Sequence, residues 1–150
     1  HNLCSWKALE NALKIKLNPE AIILREIMLA AQMIKSHLLH LFFLVLPDYA
    51  GLKSSIELSV KYPTEFHSML NIKRVSEKAL EVIAGSTAFP INTTLGGFLK
   101  PPKKDSLLVL NQDIYDVLDK AQDLINLFAG FKILPLKTNI QFLSLIPLDK

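Results

Sequence analysis

Cysteine is almost absent: Cys4 stands alone in 150 residues. That excludes an internal disulfide framework and any metal site assembled from the chain's own thiolate pairs, and it leans the expected compartment toward the cytoplasm. Glycine is scarce as well, with five residues. The pair Gly96-Gly97 lacks the preceding strand and following helix of a phosphate cradle, so it is read as a turn where backbones approach closely. Charge of one sign is missing: 17 Lys and Arg against 14 Asp and Glu leave +3. Nucleic-acid binders concentrate basic residues on one face or in a run, and Lys100-Pro101-Pro102-Lys103-Lys104 is too short for that, so no nucleic-acid partner is expected. The most apolar run, residues 38–46, includes His40 and falls well short of the roughly 20 residues that span a bilayer, so no membrane span is expected. No stretch joins a basic patch, an apolar core and a small-residue cleavage site, and no secretory leader is expected either.

What the chain does have is apolar residues at helical spacing. Hydrophobic residues make up 50% of it, enough for a single domain over 1–150 that withdraws roughly 70% of its unfolded surface from water. Leu3, Trp6, Leu9, Leu13 and Leu17 repeat near the 3.6 period and predict a first helix over 3–17. Asn18-Pro19-Glu20 then supplies a cap, a proline preset for the first turn and an acid at the positive end of the dipole. The helix that starts there meets nothing to stop it before Pro47. It runs about 27 residues, roughly 40 Å at 1.5 Å per residue. Leu24, Ile27, Ala31, Ile34, Leu38, Leu41 and Val45 make one apolar face, and Met28, Leu29, Met33, Phe42, Phe43 and Leu44 fill most of the rest. A helix apolar nearly all round is buried nearly all round. The few other helices cannot cover it, so self-association or a partner is expected.

The remaining elements follow from punctuation. Ser54-x-x-Glu57 resembles a capping box opening a short helix to Tyr62. Pro63 begins another, which Gly85 stops. Residues 85–104 are loop-rich, residues 105–129 return to helix with a break near Asn111, and the tail favours a strand around 140–146. The class expected is mainly α: a helical bundle around one long buried helix, with short extended segments near 86–100 and 138–148.

Chemistry-bearing constellations are few. His37 and His40, three apart, could place two imidazoles on one metal, but no Glu or Asp within a turn completes a site and the glutamate of an HExxH helix is missing. They read as histidines hydrogen-bonded within or beside a helical core. His1 and Cys4 are close enough to chelate but are two groups only. Ser36, Ser86 and Thr93 have no identifiable base and orienting acid. By its own residues the chain reads as non-catalytic.

Four regions carry a resemblance. Ile23-Leu24-Arg25-Glu26-Ile27, Ala31-Gln32-Met33-Ile34-Lys35-Ser36-His37-Leu38-Leu39-His40 and Leu46-Pro47-Asp48 together resemble the long helix of the large, catalytic subunit of nickel-iron hydrogenases, with its Arg-Glu, its Ser-His-x-x-His, its aromatic pair and its Pro-Asp close. Ala84-Gly85-Ser86-Thr87-Ala88-Phe89-Pro90 is similar to that family's Gly-Gly-basic-x-x-His-Pro. Leu95-Gly96-Gly97-Phe98 is similar to its Gly-Gly-Phe turn. His1-Asn2-Leu3 lines up with the histidine after the first CxxC.

The resemblance implies a parent oxidoreductase that activates dihydrogen reversibly at a Ni-Fe centre held by two CxxC pairs, neither of which is among these residues. No cofactor is expected in this chain itself, and alone it should be inactive. His1 matches an imidazole that hydrogen-bonds a bridging thiolate, and Arg25, His37 and His40 match interior polar supports. Ser86 and Phe89 replace a basic residue and a histidine on the side that faces the iron-sulfur small subunit. With Gly96 and Gly97 they form the expected contact with that subunit or with other large-subunit segments. Those two replacements also fit a degenerate, non-catalytic homologue acting as a structural or assembly subunit of a redox complex. A weaker alternative is a stand-alone helical module that grips a partner helix.

Overall fold

Asn18 opens the long helix through its side chain: Oδ1 accepts the Ala21 N–H at 2.7 Å, with Pro19 in the first turn and Glu20 beside it. In the computed structural model, which describes residues 2–132, 139–141, 143 and 144, this helix α2 spans Pro19–Leu39. It passes into a π-helical turn, His40–Val45, and then into α3, Leu46–Tyr49, without leaving the axis. Pro47 was expected to end it. In an α-helix the proline ring would press on the carbonyl four residues back, that of Phe43, and break the ladder. The wider π turn, marked by Leu46 N–H reaching the Leu41 carbonyl, loosens the ladder just upstream of that ring. The rod stops only at Gly51, where φ is +65° and Leu52 N–H returns to the Pro47 carbonyl at 2.8 Å.

The other helices are α1, Asn2–Leu13; α4, Ser55–Lys61; α5, Pro63–Ala84; α6, Lys104–Tyr115; and α7, Leu118–Ala129. Helix α1 is shorter than its apolar spacing predicts. Lys14 turns into the left-handed region at φ +57°, and Ile15 N–H closes on the Glu10 carbonyl at 2.9 Å, the arrangement that terminates helices. Glu57 bonds the Lys53 N–H at 3.1 Å, while Ser54 makes no side-chain cap. The capping box is therefore only half formed, and one residue early. Gly85 ends α5 at φ +77°. The predicted break in the last helical stretch falls at residues 116–117 rather than at Asn111. Residues 93–98 form a hairpin of two-residue strands, β1 Thr93–Thr94 and β2 Gly97–Phe98, paired Thr93 to Phe98 and Thr94 to Gly97. Of the second expected extended segment, residues 139–141, 143 and 144 carry no strand, and the remainder lies outside the described residues.

The class is mainly α, with a two-stranded hairpin the sole sheet among the described residues. Helices α2 and α5 run antiparallel. Met28 and Ala31 pack with Val75, Ala79, Leu80, Ile83, Ala84 and, from α6, Leu110. Farther along, Leu38, Phe42 and Leu46 pack with Met69, Ile72, Leu58 and, from α7, Leu124. Phe42 and Phe128 meet edge to face with centroids 5.1 Å apart. The helix at the middle of these contacts is α5, flanked by α2, α4, α6 and α7. Helix α2 is buried along one face only. Ile22, Ile23, Leu29, Met33, Ile34 and Leu44 are exposed, because no element among the described residues lies over them. Burial on nearly all sides is thus not achieved among the described residues.

Candidate functional site

Glu10 carries the strongest signal of a built polar site. It follows Leu3 and Trp6 on the same face of α1, so its carboxylate enters the interior, where it is 2% exposed. An unpaired charge there would cost several kcal/mol. Arg25, one turn before Met28 on the buried face of α2, is 5% exposed and meets it fork to fork. Nη1 donates to Oε2 and Nη2 to Oε1, both at 2.8 Å, the bidentate geometry that only guanidinium offers a carboxylate.

The pair also grips the hairpin. Arg25 Nη2 donates to the Thr94 carbonyl at 2.9 Å and more loosely to that of Gly97 at 3.4 Å. Glu10 Oε1 accepts the Gly96 N–H at 2.9 Å. Gly96 needs its φ of +82° at the turn, a conformation glycine takes without strain. The hairpin is tied in addition to the start of α1, where Thr93 Oγ1 donates to Asn2 Oδ1 at 3.1 Å. On its other side, Asn92 Nδ2 donates to the Ile83 carbonyl at 3.0 Å, and Asn92 Oδ1 accepts the Lys100 N–H at 2.9 Å. The Arg25 guanidinium holds the Glu10 carboxyl below its ordinary value of 4.5; burial opposes this, and the Gly96 N–H and the Lys7 charge add to the lowering.

A second, wetter cluster joins α2 to α5. Glu77 pairs with Lys73 at 2.7 Å and with Lys35 at 3.3 Å. Lys73 chiefly, then Lys35, keeps its carboxyl below 4.5 against the pull of burial. Lys35 Nζ also donates to the Thr87 carbonyl at 3.0 Å, pinning the loop after α5. Two open apolar grooves flank the Pro101-Pro102 segment. One is about 450 Å³ and bounded by Val82, Ile91 and Leu99; the other is about 510 Å³, between α2 and α6.

Of the residues singled out from sequence, Arg25, Gly96 and Gly97 come together in the Glu10 network. His37 and His40 do not join them. They lie 12 and 15 residues further along the rod, the nearer about 18 Å away along the axis, and both are exposed. Among the described residues no element covers the face they occupy. Ser86 is half-buried, its Oγ accepting the Ala88 N–H at 3.2 Å. Phe89 is 79% exposed. His1 lies outside the described residues. Sequence reasoning missed Glu10, although an acid within an apolar stripe announces a buried partner. It also missed Asn92, for which no local pattern stands out. Cys4 is exposed and unpaired, and among the described residues no three His, Cys, Asp or Glu side chains converge as a metal site.

Comparison with known proteins gives a consistent set of relatives. The profile of the family described as nickel-dependent hydrogenase matches residues 1–84. Sulfhydrogenase 1 subunit alpha of Pyrococcus furiosus is 33% identical over 129 residues, covering 86% of this chain and 30% of the relative. Sulfhydrogenase 2 subunit alpha of the same organism is 30% identical over 130 residues, covering 87% and 32%. The chain therefore spans about a third of the length of the curated relatives it matches. Among solved structures, an NAD+-reducing NiFe hydrogenase in the dihydrogen-reduced state superimposes with a TM-score of 0.71 at 19% identity, over 76% of this chain and 27% of that one. That likeness speaks for the fold.

Proposed function

We propose, since the chain belongs to the nickel-dependent hydrogenase family, that its parent is a large subunit catalysing reversible dihydrogen oxidation, and that these residues are its helical scaffold. The residues present do not fit the Ni-Fe centre: the lone thiol Cys4 is exposed, and no ligand cluster forms among the described residues. Among the described residues no side-chain cluster is placed to carry a step of that chemistry. The chain's contribution is mechanical: the Glu10–Arg25 network ties α1 to α2 and the hairpin, and α2 and α5 pack as a rigid pair.

The observation that carries this reading, beyond the family match, is the uncovered apolar side of α2. By length and composition the rod Pro19–Tyr49 could cross a membrane. Its two ion pairs, Arg25 with Glu10 and Lys35 with Glu77, instead fit a rod whose open side is met by protein, namely other large-subunit segments or an iron-sulfur small subunit. The same cover would enclose His37 and His40. A cytoplasmic location belongs to the same proposal and rests on the near absence of cysteine. Exposed Phe89 and half-buried Ser86, in place of the histidine and basic residue of the resemblance, favour a second reading, a degenerate scaffold subunit.

The reading frame around this chain separates the two. A CxxC pair encoded on each side, with dihydrogen-dependent dye reduction by the full-length product, is expected. A complete frame lacking both pairs overturns the catalytic reading and leaves the scaffold. Equilibrium dialysis of the chain against nickel should give no stoichiometric binding. One bound nickel per chain would contradict the reading of its residues.

A further inference from the structure

We infer that Glu10 and Arg25 are positioning residues, which set where the first turn of α1 lies by gripping the backbone of the Leu95–Gly96 turn. This rests on the proposed function in one respect: Asn2 follows His1, whose match is an imidazole beside the metal ligands.

The argument starts from the weakness of the hairpin. Strands of two residues cannot hold themselves in place. What fixes this turn is a pair of side chains that engages both polarities of its backbone. Arg25 takes the carbonyls of Thr94 and Gly97, and Glu10 takes the N–H of Gly96. An apolar pair of equal volume could glue α1 to α2, but it could satisfy neither of those groups. Fixing the turn fixes Thr93, which is 6% exposed, and Thr93 holds Asn2. A buried ion pair thus reaches the N-terminal end of α1 through the hairpin rather than along the helix.

All three acceptor contacts of the carboxylate are in use, so substitution discriminates. In Glu10→Gln one oxygen becomes an amide nitrogen, so either Arg25 Nη1 loses its acceptor or Arg25 Nη2 and the Gly96 N–H lose theirs, and the oxygen that remains is neutral and accepts more weakly in either orientation. Glu10→Leu with Arg25→Met replaces the pair by apolar groups, an exchange that often leaves buried sites as stable as before.

The test is amide hydrogen exchange at Gly96, with the side-chain amide resonance of Asn2, on the whole chain without metal. In the wild type the Gly96 amide should be strongly protected. In the double variant, thermal stability should stay near wild type while Gly96 protection falls at least tenfold and the Asn2 signal shifts. Glu10→Gln should lower that protection severalfold, and it decides the matter should the double variant fail to fold. Wild-type protection at Gly96 in the double variant, or in Glu10→Gln should that be the variant that decides, overturns the inference. So does free-chain exchange at Gly96 in the wild type. Because no metal or dihydrogen enters the measurement, its failure leaves the hydrogenase reading to be judged by the reading frame.

Discussion

Helices α2 and α5 are nearly equal in length and opposite in design. Helix α5 is amphipathic in sequence, yet it buries eight residues against five for α2 and has neighbours on most of its sides. Helix α2 is apolar nearly all round and leaves most of that surface open. The difference teaches that apolar content records the burial a helix meets in its full setting, whereas amphipathic spacing records the burial it meets within its own segment. Helix α5 finds its cover in the helices on either side of it in the chain. Helix α2 finds half of its cover here, and its one buried charge is spent on α1 and the hairpin.

The sharpest way to break the comparison is to remove that charge. Arg25→Met leaves Glu10 buried without its partner, at an expected cost of about 3–5 kcal/mol by denaturant unfolding. A cost under 1 kcal/mol would mean that α2 depends on apolar contact alone. Next comes the centre of α5: Ile83, fully buried between α2 and α6, should cost about 2–5 kcal/mol as Ile83→Ala. Ile23→Ala, on the open side of α2, should stay within about 0.5 kcal/mol. Equal costs at the two positions would erase the distinction between the helices.

Acid sharpens the same contrast. Glu10 and Glu77 both have lowered carboxyl pKa values in the fold. Their stabilisation is therefore complete above the ordinary carboxylate range and is lost as pH falls through the lowered values. The midpoint temperature of unfolding should stay level down to about pH 5 and drop below it. Glu77 is the more exposed of the two and should contribute less, since solvent screens its pairs. In Arg25→Met the sign for Glu10 reverses. Burial without a partner raises its carboxyl, so mild acidification should recover part of the lost stability. A variant that loses stability with acid as the wild type does would place the lowering elsewhere than on Arg25.

Most helices were legible because their punctuation is local: Asn18-Pro19, Pro63 and Gly85 act within one turn. The passage of the rod through Pro47 was not, since it depends on a π turn that no residue pattern at 40–45 announces. Arg25 and the Gly96-Gly97 turn could be singled out one at a time. Their meeting could not, because the bonds joining them span 69 and 72 residues and hang on Glu10, which looks like one more surface acid until its place in the stripe after Leu3 and Trp6 is noticed. That α2 carries more apolar surface than its neighbours cover was legible as well, but what meets that surface was not. Periodicity states which residues avoid water, and it is silent on whether this segment or another provides the shelter.

The smallest effect on folding should accompany the clearest effect on association. Ile23 and Met33 are half exposed on the open side of α2, where hydrophobic area has no cover within the described residues. Ile23→Lys with Met33→Lys removes apolar surface without touching either core cluster, so unfolding should shift by no more than about 1 kcal/mol. Sedimentation at rising concentration should show the wild-type chain self-associating through this face and the double variant remaining monomeric. His37→Ala and His40→Ala, exposed at the far end of the same rod, should leave both measurements unchanged. A wild-type chain monomeric at high concentration would mean that the open face of α2 is tolerated in water, and the contrast with α5 would then be one of composition without consequence.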